Sequence, residues 1–386
     1  MSRAEIVVDL AAIRHNVRLL KRHVGVPMMT VVKADGYGHG MLPSAAAARE
    51  AGAEWLGVAT LDEALALRAA GDTGRVLCWL TVPADDVAPV VAADVDVTAY
   101  TVEELDRLAA AVARAGRPAR LQLKVDTGLS RGGATIEQWP AVVARARAGE
   151  LAGTWTVTGI WSHLSTSEVP SDPVNDAQEK ALREAVDRAR EAGLDPEVVH
   201  LANSAAAILR PSSRFDLVRC GIASYGLDPA PGLSDLDLVP AMTVRADLAL
   251  VKHVPAGASV SYGHTWTASE PTTLGLVPIG YAEGISRHAG AAQHEQGAEV
   301  QIAGRRRPVR GMICMDQFVV DLDGDTPEPG CDVLLWGPGT HGEPTAHDWA
   351  RASGTISYEI VTRIGGRMTR RYVDSGFDRG GADGWE

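Results

Sequence analysis

From residue 27 the chain alternates short apolar runs with alanine-rich stretches whose apolar residues recur at spacings of three and four. The apolar runs predict strands at 27–34, 54–60, 75–81, 95–101, 119–127, 157–163, 196–204 and 215–222. Between them, segments such as 102–116 and 175–193 carry a helical period. Eight strands alternating with helices over this length predict a parallel (β/α)8 barrel of the TIM type, which needs ~250 residues. The texture changes after Gly226. Residues 227–240 are rich in proline and acid, without period, and read as a linker. Beyond it, close-set apolar runs divided by glycine and proline turns predict a mainly β domain, interrupted by one short helix at 345–353. The domain boundaries expected are thus 1–238 and 239–386, with a disordered tail at 378–386.

Composition narrows the function classes. Lysine and arginine total 37 against 49 acidic residues, a formal balance of −12, which opposes nucleic-acid binding. The densest basic segment, "RRRPVR" at 305–310, reads as a solvated hairpin. Four scattered cysteines without a CxxC pair argue against a disulfide framework and a structural metal site. With no signal-peptide pattern at the N-terminus and no apolar run of membrane-spanning length, the expectation is a soluble, cytoplasmic enzyme.

The stretch "VVKADGYGHG", residues 31–40, places Lys33 where the first strand leaves the core. A buried ammonium is costly unless it is paired, neutral or covalently used. In a barrel, reactive groups sit where strands end, because that rim is open to ligand. The predicted rim also receives Lys124, His163 and "LANS", and Arg219 lies in the eighth strand. A lysine at a strand end is more often an ion-paired surface residue; the joint placement favours a site. "NSAA" and "RCGIASYG", after strands seven and eight, occupy the usual phosphate-cradling positions of such barrels, or else form an ordinary helix cap and turn. Neither GxGxxG nor GxxxxGK[ST] occurs, so a nucleotide is disfavoured. A lysine facing a phosphate cradle suggests a Schiff base with pyridoxal 5'-phosphate.

"VVKADGYGHG" resembles the cofactor-lysine signature of the alanine racemase family, usually KANAYGHG. "LKVDTGLSR" (123–131), "HLANSAA" (200–206), "VRCGIASYG" (218–226), "VSYGHTW" (260–266), "VPIGYAEG" (277–284), "CMDQF" (314–318) and "TISYEIVTRI" (355–364) resemble further family motifs in family order. The resemblance implies a fold type III pyridoxal-phosphate racemase acting on a small amino acid, supplying D-alanine for peptidoglycan. Lys33 would hold the cofactor and serve as one acid/base; Tyr262 would be the other, on the opposite face of Cα. A phenol ordinarily ionises near ~10, so the site must favour the phenolate. Arg219 would sit beside the pyridine nitrogen, held by His163. Tyr37, Ser204, Gly221, Ile222 and Tyr358 resemble the phosphate-binding set. Arg131 and the Met315 N–H resemble the substrate-carboxylate contacts, and Lys124 matches a lysine often carried as a carbamate. Tyr281, Arg287, Met312 and Ile356 resemble the substrate channel. The family's homodimer is head-to-tail, so Tyr262 and Met315 would serve the partner's cofactor, and residues near 5–10 would pair with the C-terminal sheet. No metal and no membrane partner is implied.

Two features depart from the family pattern: Met312 stands where arginine is usual, and "LSTSEVPSD" follows His163. Replacing a cation by a flexible thioether weakens carboxylate steering, so serine or a specialised amino acid is an alternative substrate. The rival classes are a non-catalytic cofactor carrier, which the second domain and "SYGHT" oppose, and a decarboxylase, which Arg219 opposes.

Overall fold

The computed structural model describes residues 3–292 and 297–375, and the tail at 378–386 lies outside them. The chain folds as two units: residues 14–36 with 41–238, and residues 1–13, 37–40 and 239–386. The four residues 37–40 group with the second unit, which the periodicity does not foreshadow.

The first unit holds eight parallel strands. With β1 (Ala4–Asp9) set aside, they are β2 (Met28–Val31), β3 (Trp55–Val58), β4 (Arg75–Cys78), β5 (Asp96–Ala99), β6 (Ala119–Lys124), β7 (Trp155–Trp161), β8 (Val198–His200) and β9 (Val218–Cys220). Their order runs β8-β7-β6-β5-β4-β3-β2-β9. The seam between β8 and β9 is bridged by the Asp216 N–H to the Val199 carbonyl at 3.0 Å and the Arg219 N–H to the Ala202 carbonyl at 2.9 Å. The result is the nearly closed (β/α)8 barrel anticipated from the alternation of elements. All but one of these strands are shorter than their apolar runs, because the polar end of the run turns outward into a βα loop; β7 keeps the predicted length of seven residues but starts two residues earlier.

Helix starts follow local chemistry. Thr60 and Thr101 each accept the N–H three residues on, from Glu63 and Glu104, and each glutamate reaches back to the cap residue's N–H. The helix Val102–Ala115 stops at Gly116, whose φ of 70° is the left-handed conformation glycine supplies at low cost.

The second unit is built on a nine-stranded sheet. Its later strands are β10 (Met242–Asp247), β11 (Leu250–Val254), β12 (Ser259–Val260), β13 (Trp266–Thr267), β14 (Thr272–Val277), β15 (Glu299–Ile302), β16 (Arg305–Arg310), β17 (Phe318–Asp321), β18 (Asp332–Trp336) and β19 (Thr369–Val373). The sheet order is β11-β14-β17-β16-β15-β18-β10-β1-β19, and β12 and β13 form a separate ribbon. The N-terminal strand β1 lies antiparallel to β10 and parallel to β19. Glu5 anchors it, ion-paired with Arg245 at 2.5 Å and with Arg371 at 3.2 Å.

Two expectations are corrected here. The basic segment 305–310 does form a hairpin with β15, and Arg305 and Arg306 are exposed, but it is also paired with β17 on its other side, so it is an interior strand, and Arg307 is buried. The β unit also contains two α-helices, Ala346–Ser353 and Ser357–Arg363, rather than one. The second was obscured because "ISYEIVTR" is rich in β-branched and aromatic residues. Trp349, fully buried beneath the sheet, packs edge-on to Phe318 at 6.2 Å and donates from its indole N–H to the Leu335 carbonyl at 2.6 Å. Burying such a ring while satisfying its polar handle stabilises the unit by about 2–3 kcal/mol.

Candidate active site

Lys33 leaves the barrel through an unusual turn. Ala34, Asp35, Gly36 and Tyr37 have φ of 53°, 52°, 63° and 53°. Left-handed backbone costs roughly 1–2 kcal/mol per non-glycine residue, so the surroundings must hold it. Glu63 accepts the Ala34 N–H at 2.7 Å and the Ala59 N–H at 2.8 Å. Asp35 accepts the Met41 N–H at 2.9 Å, and the Gly36 N–H reaches the Val32 carbonyl at 2.9 Å. The lysine therefore emerges from a turn clamped at both ends. Burial disfavours its ammonium, the Arg131 cation adds to that, and Arg219 contributes further against the opposing Glu63 carboxylate. A lysine whose pKa is depressed has more of its amine free to act as a nucleophile.

Beside it lies an aromatic floor. Lys33 Nζ is 5.7 Å from the centre of the Trp79 ring, and Trp79 meets Trp161 edge-on at 6.2 Å. Trp161 supports three further groups: Lys124 Nζ at 4.7 Å, Arg219 Cζ at 4.9 Å, and His200, stacked at 5.5 Å. Lys124 is 6% exposed. Burial first, then Arg219 and Arg131, lower its pKa to about 8 despite Asp126. No salt bridge joins it to Asp126, whose carboxylate instead accepts the N–H groups of Gly128 at 2.9 Å and Ser130 at 3.2 Å.

Arg219 is buried in the barrel and spends its donors on four acceptors. Nη2 donates to His163 Nδ1 at 3.1 Å, to the Ser162 carbonyl at 2.9 Å and to the Leu201 carbonyl at 3.0 Å. Nη1 donates to His200 Nδ1 at 2.7 Å. Burial and the Arg219 charge hold both imidazoles well below the usual histidine range, so both are neutral. Burial lowers Arg219 itself to about 9, which leaves it cationic at neutral pH.

The loops after β8 and β9 meet at Ser204. Its Oγ accepts the Gly221 N–H at 3.0 Å and the Ala223 N–H at 3.4 Å, with Ile222 buried between them. Both N–H groups are thus directed at the serine oxygen, which leaves the hydroxyl hydrogen as the donor at the meeting point of the two loops. In the second unit, Tyr37 and Tyr358 lie 6.3 Å apart. The spacing depends on Gly38, where an added Cβ would stand 2.0 Å from the Val361 carbonyl oxygen.

The same unit gathers Tyr262 and all four residues assigned to a channel. Tyr262, 70% exposed, follows Ser261, whose φ is 63° and whose hydroxyl donates to the Met312 carbonyl at 2.7 Å. The Tyr281 N–H reaches the Cys314 carbonyl at 3.1 Å, and the Met315 carbonyl accepts the Ala282 N–H at 3.0 Å. Arg287 donates to the Ile313 carbonyl at 2.9 Å, its guanidinium 5.9 Å from the Tyr281 ring. Ile356 is exposed just before the helix Ser357–Arg363. Among the described residues no group of three or more His, Cys, Asp or Glu could hold a metal ion, and no helix is long and apolar enough to cross a membrane.

Sequence reasoning missed Glu63, Gln122, Trp161 and His200. Glu63 had a legible signal, the Thr-x-x-Glu capping pattern, although nothing in it points to Lys33. Gln122 and Trp161 read simply as strand residues. His200 sat inside a recognised segment but was passed over for its neighbour Ser204.

The barrel rim thus presents a desolvated lysine, an arginine held by neutral acceptors, and a serine hydroxyl where the last two βα loops meet. Polar groups gathered at the strand ends of a (β/α)8 barrel, the rim open to ligand, mark the architecture of an enzyme. Comparison with known proteins is specific. Residues 8–229 match the alanine racemase N-terminal domain and 241–372 the alanine racemase C-terminal domain. The alanine racemase of Salinispora arenicola is 50% identical over 374 residues, covering 97% of this chain and 99% of that protein. The solved alanine racemase of Streptomyces coelicolor superposes with a TM-score of 0.94 at 50% identity, covering 97% and 98% of the two chains. That of Bartonella henselae, solved with covalently bound pyridoxal phosphate, gives 0.85 at 28% identity over 97% and 100%. The chain belongs to the alanine racemase family.

Proposed function

We propose that this protein is a pyridoxal-phosphate-dependent isomerase that interconverts L- and D-alanine, providing the D-isomer for peptidoglycan. The observation that supports this best is the pairing of a desolvated Lys33 with an Arg219 whose Nη1 and Nη2 are held by neutral acceptors. The residues fit the cofactor: an amine with a lowered proton affinity, a serine hydroxyl for phosphate, and a guanidinium for the ring nitrogen.

When bound, pyridoxal phosphate supplies an electron-withdrawing ring that acidifies the substrate Cα–H. Lys33 holds the cofactor and moves a proton at Cα on one face. Tyr262 moves a proton on the opposite face, so removal on one side and return on the other inverts the centre. Arg219, which cannot accept a proton, would face the pyridine nitrogen and leave it unprotonated, which would disfavour transamination. Ser204, Gly221 and Ile222 hold phosphate, with Tyr37 and Tyr358 as further phosphate ligands. Arg131 and the Met315 N–H bind the substrate carboxylate. Neutral Lys124 amine adds carbon dioxide, releasing one proton and leaving a carbamate that orients Arg131. The active species is a homodimer in the cytoplasm, in which Tyr262 and Met315 serve the partner's site. The exposure of Tyr262, Tyr281, Met315 and Ile356 on one chain agrees with that role.

The test is incorporation of solvent deuterium at Cα by the cofactor-loaded protein, with chiral analysis across alanine, serine and bulkier amino acids. Exchange with inversion of alanine supports the proposal; bound cofactor with no exchange on any amino acid overturns it.

A further inference from the structure

The N-terminal end of a (β/α)8 barrel ordinarily serves stability alone. Here it is wired to the site. Asp96, the first residue of β5, is fully buried and ion-paired with Arg75 at 3.0 Å and Arg120 at 2.9 Å. Its Oδ1 also accepts from Gln122 Nε2 at 3.3 Å and from the Thr158 hydroxyl at 2.5 Å. Gln122 Oε1 bonds His200 Nε2 at 2.7 Å, and His200 Nδ1 bonds Arg219 at 2.7 Å. The Gln122–His200 bond joins β6 to β8, so it passes through the barrel interior over β7. The crossing exists because Gly159 stands opposite Gln122 on β7. A Cβ there would lie 2.8 Å from Gln122 Cδ and 2.9 Å from Oε1.

The polarity of this chain is set from both ends. Arginine can only donate, so His200 Nδ1 must accept, and the neutral ring carries its one proton on Nε2. Gln122 must then present its oxygen to His200 and its amide N–H2 to Asp96. An ionised carboxylate can only accept, and Asp96 thereby forbids the flipped amide. Were the amide flipped, His200 would be driven to the Nδ1–H tautomer, leaving two donors facing each other across 2.7 Å.

We infer that Asp96 is a positioning residue for Arg219, acting through the Gln122 amide and the His200 tautomer from the opposite end of the barrel. Its kinetic consequence rests on the racemase reading; the tautomer assignment does not.

The experiment uses the full-length holoenzyme with 15N-labelled histidine, the His200 signals being assigned by their loss in His200→Gln. Two variants are compared with wild type. Gln122→Met breaks the relay but leaves the ion pairs of Asp96, so it carries the test if Asp96→Asn fails to fold. In Gln122→Met the buried His200 Nε2–H loses its acceptor, so the Arg219 donor alone must hold the tautomer, and the expected result is that His200 no longer keeps a pure Nε2–H state. With it, kcat for alanine falls about tenfold, KM changes less than threefold, and abortive transamination events per turnover rise. Asp96→Asn moves the same readouts in the same direction. A purely structural role would lower the melting temperature or cofactor occupancy, with the tautomer and kcat per bound cofactor unchanged; that result overturns the inference. If wild type exchanges no α-proton on any amino acid, the racemase reading falls, and the tautomer response alone decides the relay.

Discussion

Lys124 Nζ lies 4.7 Å from the centre of the Trp161 ring and has no carboxylate in salt-bridge contact, although it is only 6% exposed. A cation held this way is stabilised far less than one in water, which is why its pKa falls from 10.5 to about 8. The difference of about 2.5 units corresponds to roughly 3 kcal/mol against the folded state.

That penalty has a definite pH window. Below about 8 the lysine is charged in both folded and unfolded chains, and the full cost applies. Between about 8 and 10.5 only the unfolded chain keeps the proton, so stability rises with pH. Lys124→Met should therefore stabilise the cofactor-free protein at pH 7 by about 1–3 kcal/mol, with the gain fading through that window. Urea unfolding of both proteins in carbonate-free buffer at several pH values measures it. A gain independent of pH would remove the desolvation account.

Tyr262→Phe should keep the fold, since the side chain is 70% exposed and no described hydrogen bond uses its hydroxyl. Racemisation should fall at least 1,000-fold while Lys33 still exchanges the α-proton of one enantiomer. Comparing deuterium incorporation from L- and D-alanine separates the faces; equal residual exchange from both would count against a two-base scheme.

Arg219→Lys removes the planar fork that reaches His163, His200 and two carbonyls at once. The expected outcome is a 10- to 100-fold loss in kcat and more transamination per turnover, measured by accumulation of pyruvate. Unchanged partitioning would show that the arginine does not govern where the proton returns.

Gly38→Ala forces a Cβ against the Val361 carbonyl at a residue whose φ is 82°. Separating the 37–40 segment from the helix Ser357–Arg363 should cost about 2–4 kcal/mol and weaken cofactor binding at least tenfold. Equilibrium dialysis of pyridoxal phosphate together with thermal unfolding follows both; unaltered affinity would argue that Tyr37 and Tyr358 do not bind phosphate.

Met312→Arg places a cation on the residue whose carbonyl accepts the Ser261 hydroxyl, next in sequence to Tyr262. The KM for alanine should fall two- to fivefold and the preference for alanine over serine should widen. An unchanged substrate ranking would show that Met312 does not set specificity.

The first 40 residues show where sequence reading ends. Val31 and Val32 announce a strand, and the lysine after them is legible as chemistry because a charge at a core boundary demands an explanation. Likewise, the Thr-x-x-Glu caps and alternating elements follow from local hydrogen bonding and period, which need only near neighbours. The family motifs mark Lys33, Arg219 and Tyr262 within continuous segments. What the sequence could not announce is that Glu63 clamps the turn after Lys33, that β16 runs between two other strands, or that Asp96 speaks to Arg219. The hydrogen bonds linking Asp96, Gln122, His200 and Arg219 span sequence separations of 26, 78 and 19 residues. Asp96, Gln122 and His200 each read, taken alone, as an ordinary strand polar residue. Only barrel closure brings them within hydrogen-bond reach, and only the missing side chain of Gly159 lets the chain cross. Local pattern determined the elements and the reactive residue types; the tertiary structure decided which buried polar groups meet, because an unpaired donor inside a barrel has nowhere else to go.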